Sequence, residues 1–390
     1  PIQNTNGDNL GGTSFCLFVN GEKIVDGKDY RKLVCESTDI KNNQTDNDDL
    51  FKIYWADTKM EFVATAGTAG GSLKALFEMR DGDNLENFKG KVTQADSYSF
   101  TVSNTSLTNI KSLNLPDTNG KITVDHVTYT YDSWEAEVDA DGNIKSMKFN
   151  LSKNKAVANP AAVVADNATL SAGSGINERG IPYYMTQLNE FVRNFAELFN
   201  KAESKGQNMN GDTPPTFFEG ITATGKVYDF SDSDAYSKLT DGQTTTISSS
   251  SNTYYRLTAG NYSVNKDVMN NVSLFATATD YVKTDACDIV DELKKLQSQT
   301  TVYRGDKAES FLETIISNVS VDTEKAETNN KLYQNLEQTI SNQRTSVSGV
   351  DEDEEALNLI KYQNAYNMAS KVISIMSQML EKLINDTGVA

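Results

Sequence analysis

Residues 347–386 of the chain read VSGVDEDEEALNLIKYQNAYNMASKVISIMSQMLEKLIND. Apolar residues return in this stretch at alternating steps of three and four, which is the spacing of one face of an α-helix. The ladder comprises Leu359, Tyr362, Tyr366, Ala369, Ile373, Met376, Leu380 and Leu383. A second stripe of Ala365, Val372 and Met379 makes the face wider than a two-stranded coiled coil needs. The pattern predicts a long heptad helix that packs against other helices.

The start of this helix is also predicted from the sequence. Asp351 stands where an N-cap is expected, and Glu354 follows three residues later. The acidic run from Asp351 to Glu355 suits the positive end of a helix dipole, so it needs no bound cation or basic partner to explain it. Periodicity alone leaves one alternative open, an ordinary core helix of an intramolecular bundle.

Length and composition limit the possible classes of protein. A chain of 390 residues is expected to contain two to four domains. The net charge of −18 argues against binding to nucleic acid or to an anionic membrane. No stretch is apolar for long enough to span a bilayer, and the N-terminus does not read as a signal peptide. The three cysteines, Cys16, Cys35 and Cys287, have no metal-binding spacing, and free buried thiols are favoured over a Cys16–Cys35 disulfide.

Two motifs contain residue types that are common in chemical sites. His126 falls on a predicted strand without a nucleophile elbow beside it, so it is interpreted as a half-buried structural residue. Glu137, Asp139 and Asp141 match the first ligand positions of an EF-hand loop, but Lys148 stands where the twelfth position needs a bidentate Glu. A hairpin turn is the better interpretation. We therefore expect no catalytic residue, no metal site and no cofactor.

The fold class is predicted to be α+β: an elongated helical body with a long C-terminal heptad helix and inserted antiparallel β domains. Alternating strands with Asn119-Gly120 and Asp141-Gly142 turns predict the main insert. The domain map assigns 1–65 to a small β region, 66–82, 180–216 and 269–346 to a discontinuous helical body, 83–179 to an inserted β domain, 217–268 to a short β subdomain with a floppy Ser/Thr-rich tip, and 347–390 to the C-terminal helix.

Three stretches resemble one known family. They are SGVDEDEEALNLIKYQNAYNMASKVIS followed by LINDTGV near the C-terminus, GGSLKALFEMRD at 70–81, and YYMTQLNEFVRNFAELFNKAESKG at 183–206 with TPPTFF at 213–218. In these motifs the chain resembles the hook-associated proteins of the bacterial flagellum. The resemblance covers the helical half of the chain and fades between Asp83 and Pro182, so the β insert departs from the family pattern.

The resemblance implies a structural protein rather than an enzyme. It implies an adaptor subunit at the hook–filament junction, exported by the flagellar secretion apparatus to the cell exterior. The implied partners are copies of itself in a ring, the hook protein, the second junction protein and an export chaperone. The eight ladder residues would then form the assembly interface. Members of this family begin with a helical segment that pairs with the C-terminal helix, and we expect the sequence after Pro1 to lack it.

The sequence is also compatible with two other functions. The first is another flagellar axial protein of the hook or rod type, which shares a looser form of the C-terminal helix. The second belongs to another class, a secreted carbohydrate-binding or hydrolytic protein. For that function, Tyr129, Tyr131 and Trp134 of the insert would form an aromatic platform, although such aromatics more often lie in a core.

Overall fold

The computed structural model describes residues 16–19, 22–26, 29–37, 50–65, 71–152, 168–173, 175–222, 224–228, 230, 235–282, 286–299, 301–348 and 351–387. Runs of antiparallel strands are separated and followed by helices along the chain, which confirms the α+β class. The chain divides into two compact units, Pro1–Ile315 and Ile316–Ala390.

Two small antiparallel sheets form the N-terminal part. The first contains β1 (Cys16–Val19), β2 (Glu22–Asp26) and β3 (Asp29–Tyr30), and the second contains β4 (Leu33–Ser37) and β5 (Phe51–Trp55). The sequence also predicts a strand at 62–64, but only a single bridge forms there, between Tyr54 and Glu61. The rings of Trp55 and Phe62 pack edge to face with their centroids 5.8 Å apart. Helix α1 (Gly71–Asp81) follows and contributes Phe77 to the same small core.

The predicted β insert closes into a barrel. Its strands are β6 (Phe88–Asp96), β7 (Ser99–Ser103), β8 (Gly120–Val124), β9 (Val127–Asp139), β10 (Ile144–Leu151) and β11 (Thr169–Ala172). They pair antiparallel in the order β6-β7-β10-β9-β8-β11, and β11 pairs back onto β6. Closure leaves none of these six strands as a free edge along its whole length.

Alternation along β9 shows how the sequence builds the barrel core. Tyr129 and Tyr131 are buried at odd positions, whereas Trp134, Ala136 and Val138 are buried at even positions. Side chains alternate strictly between the two faces of a regular strand, so this change of parity requires an irregularity. The pairing with β10 shifts register at this point, between Asn150 and Leu151. The irregularity lets one long strand keep its aromatic residues in the core.

Two turn predictions have different outcomes. The Asp141-Gly142 turn is confirmed, because Gly142 has φ +78° and its amide donates to Asp139 O at 3.0 Å. The Asn119-Gly120 turn is wrong, since Gly120 begins β8. A Cβ at Gly120 would lie 2.2 Å from the ring of Tyr131, so glycine is needed there for close packing. The β8–β9 hairpin turns instead at Asp125 and His126, both with φ above zero, as a type I′ turn requires.

The barrel recruits a strand from the segment that the sequence assigns to a separate subdomain. β12 (Phe218–Ile221), β13 (Val227–Tyr228) and β15 (Tyr262–Val264) do form a small sheet of their own. In contrast, β14 (Thr244–Ser248) pairs with the second half of β9. Ile247 and Tyr255 belong to the barrel core. The stretch expected to be a floppy tip is therefore a strand.

Helix α2 (Ile181–Glu203) begins with Pro182 in its first turn, where proline is compatible with a helix. The apolar spacing from Tyr184 to Ala202 predicts this helix, and the structure confirms it. α3 (Lys266–Asn270) and α4 (Asp288–Ser298) are short, and Val282, expected in the same helix as Ile289, lies before α4 begins. α5 (Ala308–Ser348) and α6 (Glu352–Thr387) are long, as predicted.

Candidate assembly interface

The predicted cap of α6 is present in the structure. Asp351 Oδ1 accepts hydrogen bonds from the amides of Asp353 at 2.9 Å and Glu354 at 3.4 Å. These two amides lack partners within the helix, so the side chain satisfies donors that would otherwise depend on water. The acidic run therefore has a structural explanation as a helix start.

The assembly ladder lies on α6 and is open to solvent. Its members are Leu359, Tyr362, Tyr366, Ala369, Ile373, Met376, Leu380 and Leu383. All eight are exposed, and each apart from Ala369 is more than half exposed. Their spacing of three and four residues places them on one face of the helix. The structure thus brings together all the predicted interface residues.

The neighbouring stripe makes this face broad. Ala365, Val372 and Met379 are exposed beside the ladder. Between Ala356 and Leu380 the only charged residues are Lys361 and Lys371. A helix with so few charges and so wide an apolar surface gains from being covered by partners, at about 25 cal/mol per Å² removed from water. Its geometry suits packing among several helices.

Helix α5 shows a similar exposure over much of its length. Ile316, Leu332, Leu336 and Ile340 are each at least half exposed. The first turns differ, because Phe311 is buried and stacks with Phe191 of α2 at 6.2 Å between ring centres. The first turn of α5 therefore packs on α2. Its later apolar residues remain available for contacts with partners.

The residues of the two candidate chemical motifs, His126 and the Glu137–Asp141 stretch, lie in or beside hairpin turns. His126 is exposed in the β8–β9 turn, so the predicted half-buried position on a strand face is wrong. Asp139 organises the β9–β10 turn, accepting from the amides of Asp141 at 3.1 Å and Asn143 at 2.9 Å. Lys145 pairs with Asp139 at 2.9 Å. Among the described residues, no group of three His, Cys, Asp or Glu side chains could hold a metal ion.

The three aromatic residues that would form a carbohydrate-binding platform are buried. Tyr129, Tyr131 and Trp134 all lie in the barrel core. Tyr131 donates its hydroxyl to Pro116 O at 2.8 Å, and burial raises its pKa well above the ordinary value. Trp134 packs against Tyr255 with the ring centres 5.0 Å apart. The structure therefore agrees with the core position favoured for these residues, and the carbohydrate-binding alternative loses its aromatic platform.

Arg193 is a structural residue that the sequence did not single out. This side chain of α2 is buried, and it donates to three carbonyl oxygens: Lys111 O at 2.7 Å, Leu113 O at 2.9 Å and Leu257 O at 2.8 Å. Burial lowers the pKa of Arg193 to about 10. Its contacts join α2, the barrel and the chain that follows β14. A lone arginine within an amphipathic helix carries no sequence signal for this role.

Two comparisons with known proteins indicate the kind of protein to which this chain is similar. Residues 341–386, which contain nearly all of α6, match the family described as flagellar basal body rod FlgEFG protein C-terminal. Within that class, the chain is similar to flagellar hook-associated protein 1 of Bacillus subtilis (strain 168). The two are 25% identical over 220 residues.

The aligned part spans 54% of this chain but only 37% of the relative. No solved structure matches the chain. Both matches support a structural role in the bacterial flagellum and confirm the resemblance to hook-associated proteins. Among the described helices, none has the length and apolar character needed to cross a membrane.

Proposed function

We propose that the chain is a non-enzymatic adaptor subunit at the junction between the flagellar hook and filament, assembling through the exposed face of α6. The observation that carries the proposal is the uninterrupted apolar ladder on α6, which is exposed throughout and lies within the matched range 341–386. A helix of this kind in a soluble chain is stabilised by association with other helices.

The proposed partners are those that the similarity to hook-associated protein 1 implies. Copies of the chain would pack side by side in a ring, with the hook protein on one side and the second junction protein on the other. Before export by the flagellar secretion apparatus to the cell exterior, a chaperone would cover the ladder and prevent aggregation. The polar outer residues of the barrel suit a domain that faces solvent.

Another axial protein of the hook or rod type remains the second candidate. The family match at 341–386 favours it, because the matched family is described by rod proteins. The similarity to hook-associated protein 1 over 220 residues favours the junction. Immunogold labelling of intact flagella separates the two candidates. Antibodies against a junction protein bind only at the hook–filament boundary, whereas antibodies against a hook or rod protein do not bind there.

Two variants of α6 test the interface, each of which introduces one carboxylate on a different side of the helix. Met376→Glu puts a carboxylate in the ladder, and Gln378→Glu puts one on the opposite side, two residues away. Both new side chains are good helix formers, so helix propensity changes little. We expect Met376→Glu to abolish incorporation into flagella and motility, whereas Gln378→Glu retains both. Equal incorporation of the two variants would contradict the proposal.

A further inference from the structure

Glu203 is a buried carboxylate at the end of α2 that has no part in the proposed assembly. Only 1% of its surface is exposed. Oε1 accepts from the amide of Ala276 at 3.4 Å, and Oε2 has no hydrogen-bond partner among the described residues. A buried ionised carboxylate without a matching cation is strongly disfavoured, so the protonated form is the one that this corner accommodates.

The corner around Glu203 is tightly packed. A Cβ at Gly206 would lie 2.7 Å from Ala276 Cβ and 3.0 Å from Ile289 Cγ1 of α4. Gln207 and Ala278 form a β-bridge next to it. The end of α2, the segment 276–278 and the start of α4 therefore hold one another in place. Entry of water to solvate a carboxylate requires these parts to separate.

The lysines at the end of α2 and on α4 are either paired with another carboxylate or exposed. On the α2 side, Lys205 pairs with Glu292 of α4, and Lys201 is exposed. On α4, Asp288 accepts from the hydroxyl of Thr279 at 2.7 Å. The carboxylate of Asp288 adds negative charge to the start of α4, which does not favour ionisation of Glu203.

We propose that Glu203 is a pH-sensitive latch: its protonated carboxyl keeps the segment 276–278 and α4 docked on the end of α2, and its ionised form loosens them. This device lies in the larger unit and is independent of the α6 face. It concerns local opening of the fold and needs no ligand.

The pH window follows from the two protonation states. Burial raises the pKa of Glu203 from its ordinary value of 4.5 to about 7, while the amide of Ala276 opposes the shift. The docked state then binds the proton more tightly than the open state, so docking weakens as pH rises from 4.5 and levels off above 7. For these two pKa values, the population of the open state rises about tenfold between pH 6 and pH 8.

Hydrogen exchange of the whole chain tests the latch. Exchange of the amides in 275–298, corrected for the intrinsic effect of pH, is compared at pH 6 and pH 8. We expect about tenfold more opening at pH 8 in the native chain and no such change in Glu203→Gln, which keeps the shape but cannot ionise. Glu178→Gln, at an exposed side chain of the same unit, serves as the control and keeps the tenfold change.

An identical pH dependence in the native chain and Glu203→Gln would overturn the proposal. A second measurement covers the case in which Glu203→Gln does not fold. The carboxyl ¹³C resonance of Glu203 in the native chain is titrated directly. A midpoint near pH 7 supports the latch, and a midpoint below pH 5 overturns it.

Discussion

The amide nitrogen of Gly180 donates a hydrogen bond to the carbonyl oxygen of Gly82 at 3.1 Å. This contact joins the last residue before α2 to the first residue after α1, and Asp83 and Arg179 form a β-bridge next to it. The chain therefore enters and leaves the barrel segment at one crossing point. An insertion whose ends meet in this way leaves the surrounding helices in place.

Replacing either glycine at this crossing by a residue with a side chain should destabilise the larger unit. A Cβ at Gly82 would lie 2.5 Å from Glu178 O, and one at Gly180 would lie 2.7 Å from the nitrogen of Gly82. Backbone atoms cannot move aside as a flexible side chain does, so we expect Gly82→Ala and Gly180→Ala each to cost about 2–4 kcal/mol of unfolding free energy. Urea denaturation measures the loss.

Gly71→Ala is the control for this prediction. Its Cβ would meet nothing within 4 Å, although φ is +82°. It therefore measures the cost of the backbone conformation alone, about 1 kcal/mol. If the variants at Gly82 and Gly180 cost no more than Gly71→Ala, close approach of the backbones is not what requires glycine at the crossing.

Loss of Arg193 should uncouple α2 from the barrel. Arg193→Met retains much of the packing volume but leaves three buried carbonyl oxygens without their donor. We expect a cost of about 2–4 kcal/mol in urea denaturation, together with faster hydrogen exchange in residues 110–115. Lys201→Met, at an exposed position of the same helix, should change stability by less than about 0.5 kcal/mol. Comparable losses in the two variants would refute a specific role for Arg193.

The sequence places the end of the inserted β domain at residue 179, although β14 pairs with β9 of that domain. A substitution at Ile247 of β14 tests this boundary. This residue of β14 is 4% exposed and pairs with Ala136 of β9. We expect Ile247→Ala to lower the stability of the barrel by about 2–4 kcal/mol, whereas Thr246→Ala on the exposed side of the strand has little effect. Tryptophan fluorescence in a Trp55→Phe background follows the barrel through Trp134, the other tryptophan of the chain. An unchanged Trp134 transition in Ile247→Ala would show that residues 83–179 fold independently of β14.

Asp139 should stabilise the barrel in a pH-dependent manner. Burial alone would raise the pKa of Asp139, but hydrogen bonds from Lys145, Asn143 and the amide of Asp141 outweigh it and lower the pKa to about 2. The folded pKa lies below the usual 3.8, so the stabilisation is present above pH 4 and is lost as pH falls towards 2. We expect Asp139→Asn to cost about 1–2 kcal/mol at pH 7, allowing for solvent screening.

Comparison of denaturation at pH 7 and pH 3 checks the Asp139 prediction. The difference between the native chain and Asp139→Asn should shrink at pH 3. Asp132→Asn, at an exposed position of the same strand, should show no loss at either pH. A difference of the same size at both pH values would mean that the carboxylate charge of Asp139 contributes nothing.

Local features of the fold were predicted well because their causes are local. The α6 ladder and the Asp351 cap depend on residues three or four positions apart, and the structure reproduces both. The Asp141-Gly142 turn was predicted for the same reason, since glycine accommodates its positive φ. The Asn119-Gly120 motif failed because the packing of Tyr131 over Gly120, eleven residues away, accounts for the same glycine.

The sequence by itself determined the long helices, the single apolar face of α6 and the antiparallel character of the insert, because helical and strand periodicities depend on residues close together in the chain. Only the tertiary structure decided that the insert closes as a barrel, that β14 pairs with β9, and that Arg193 joins three segments. The physical reason is distance along the chain. Thr244 hydrogen-bonds to Glu137 across 107 residues, and a polar Thr/Ser stretch shows no periodicity that reveals where it will pair.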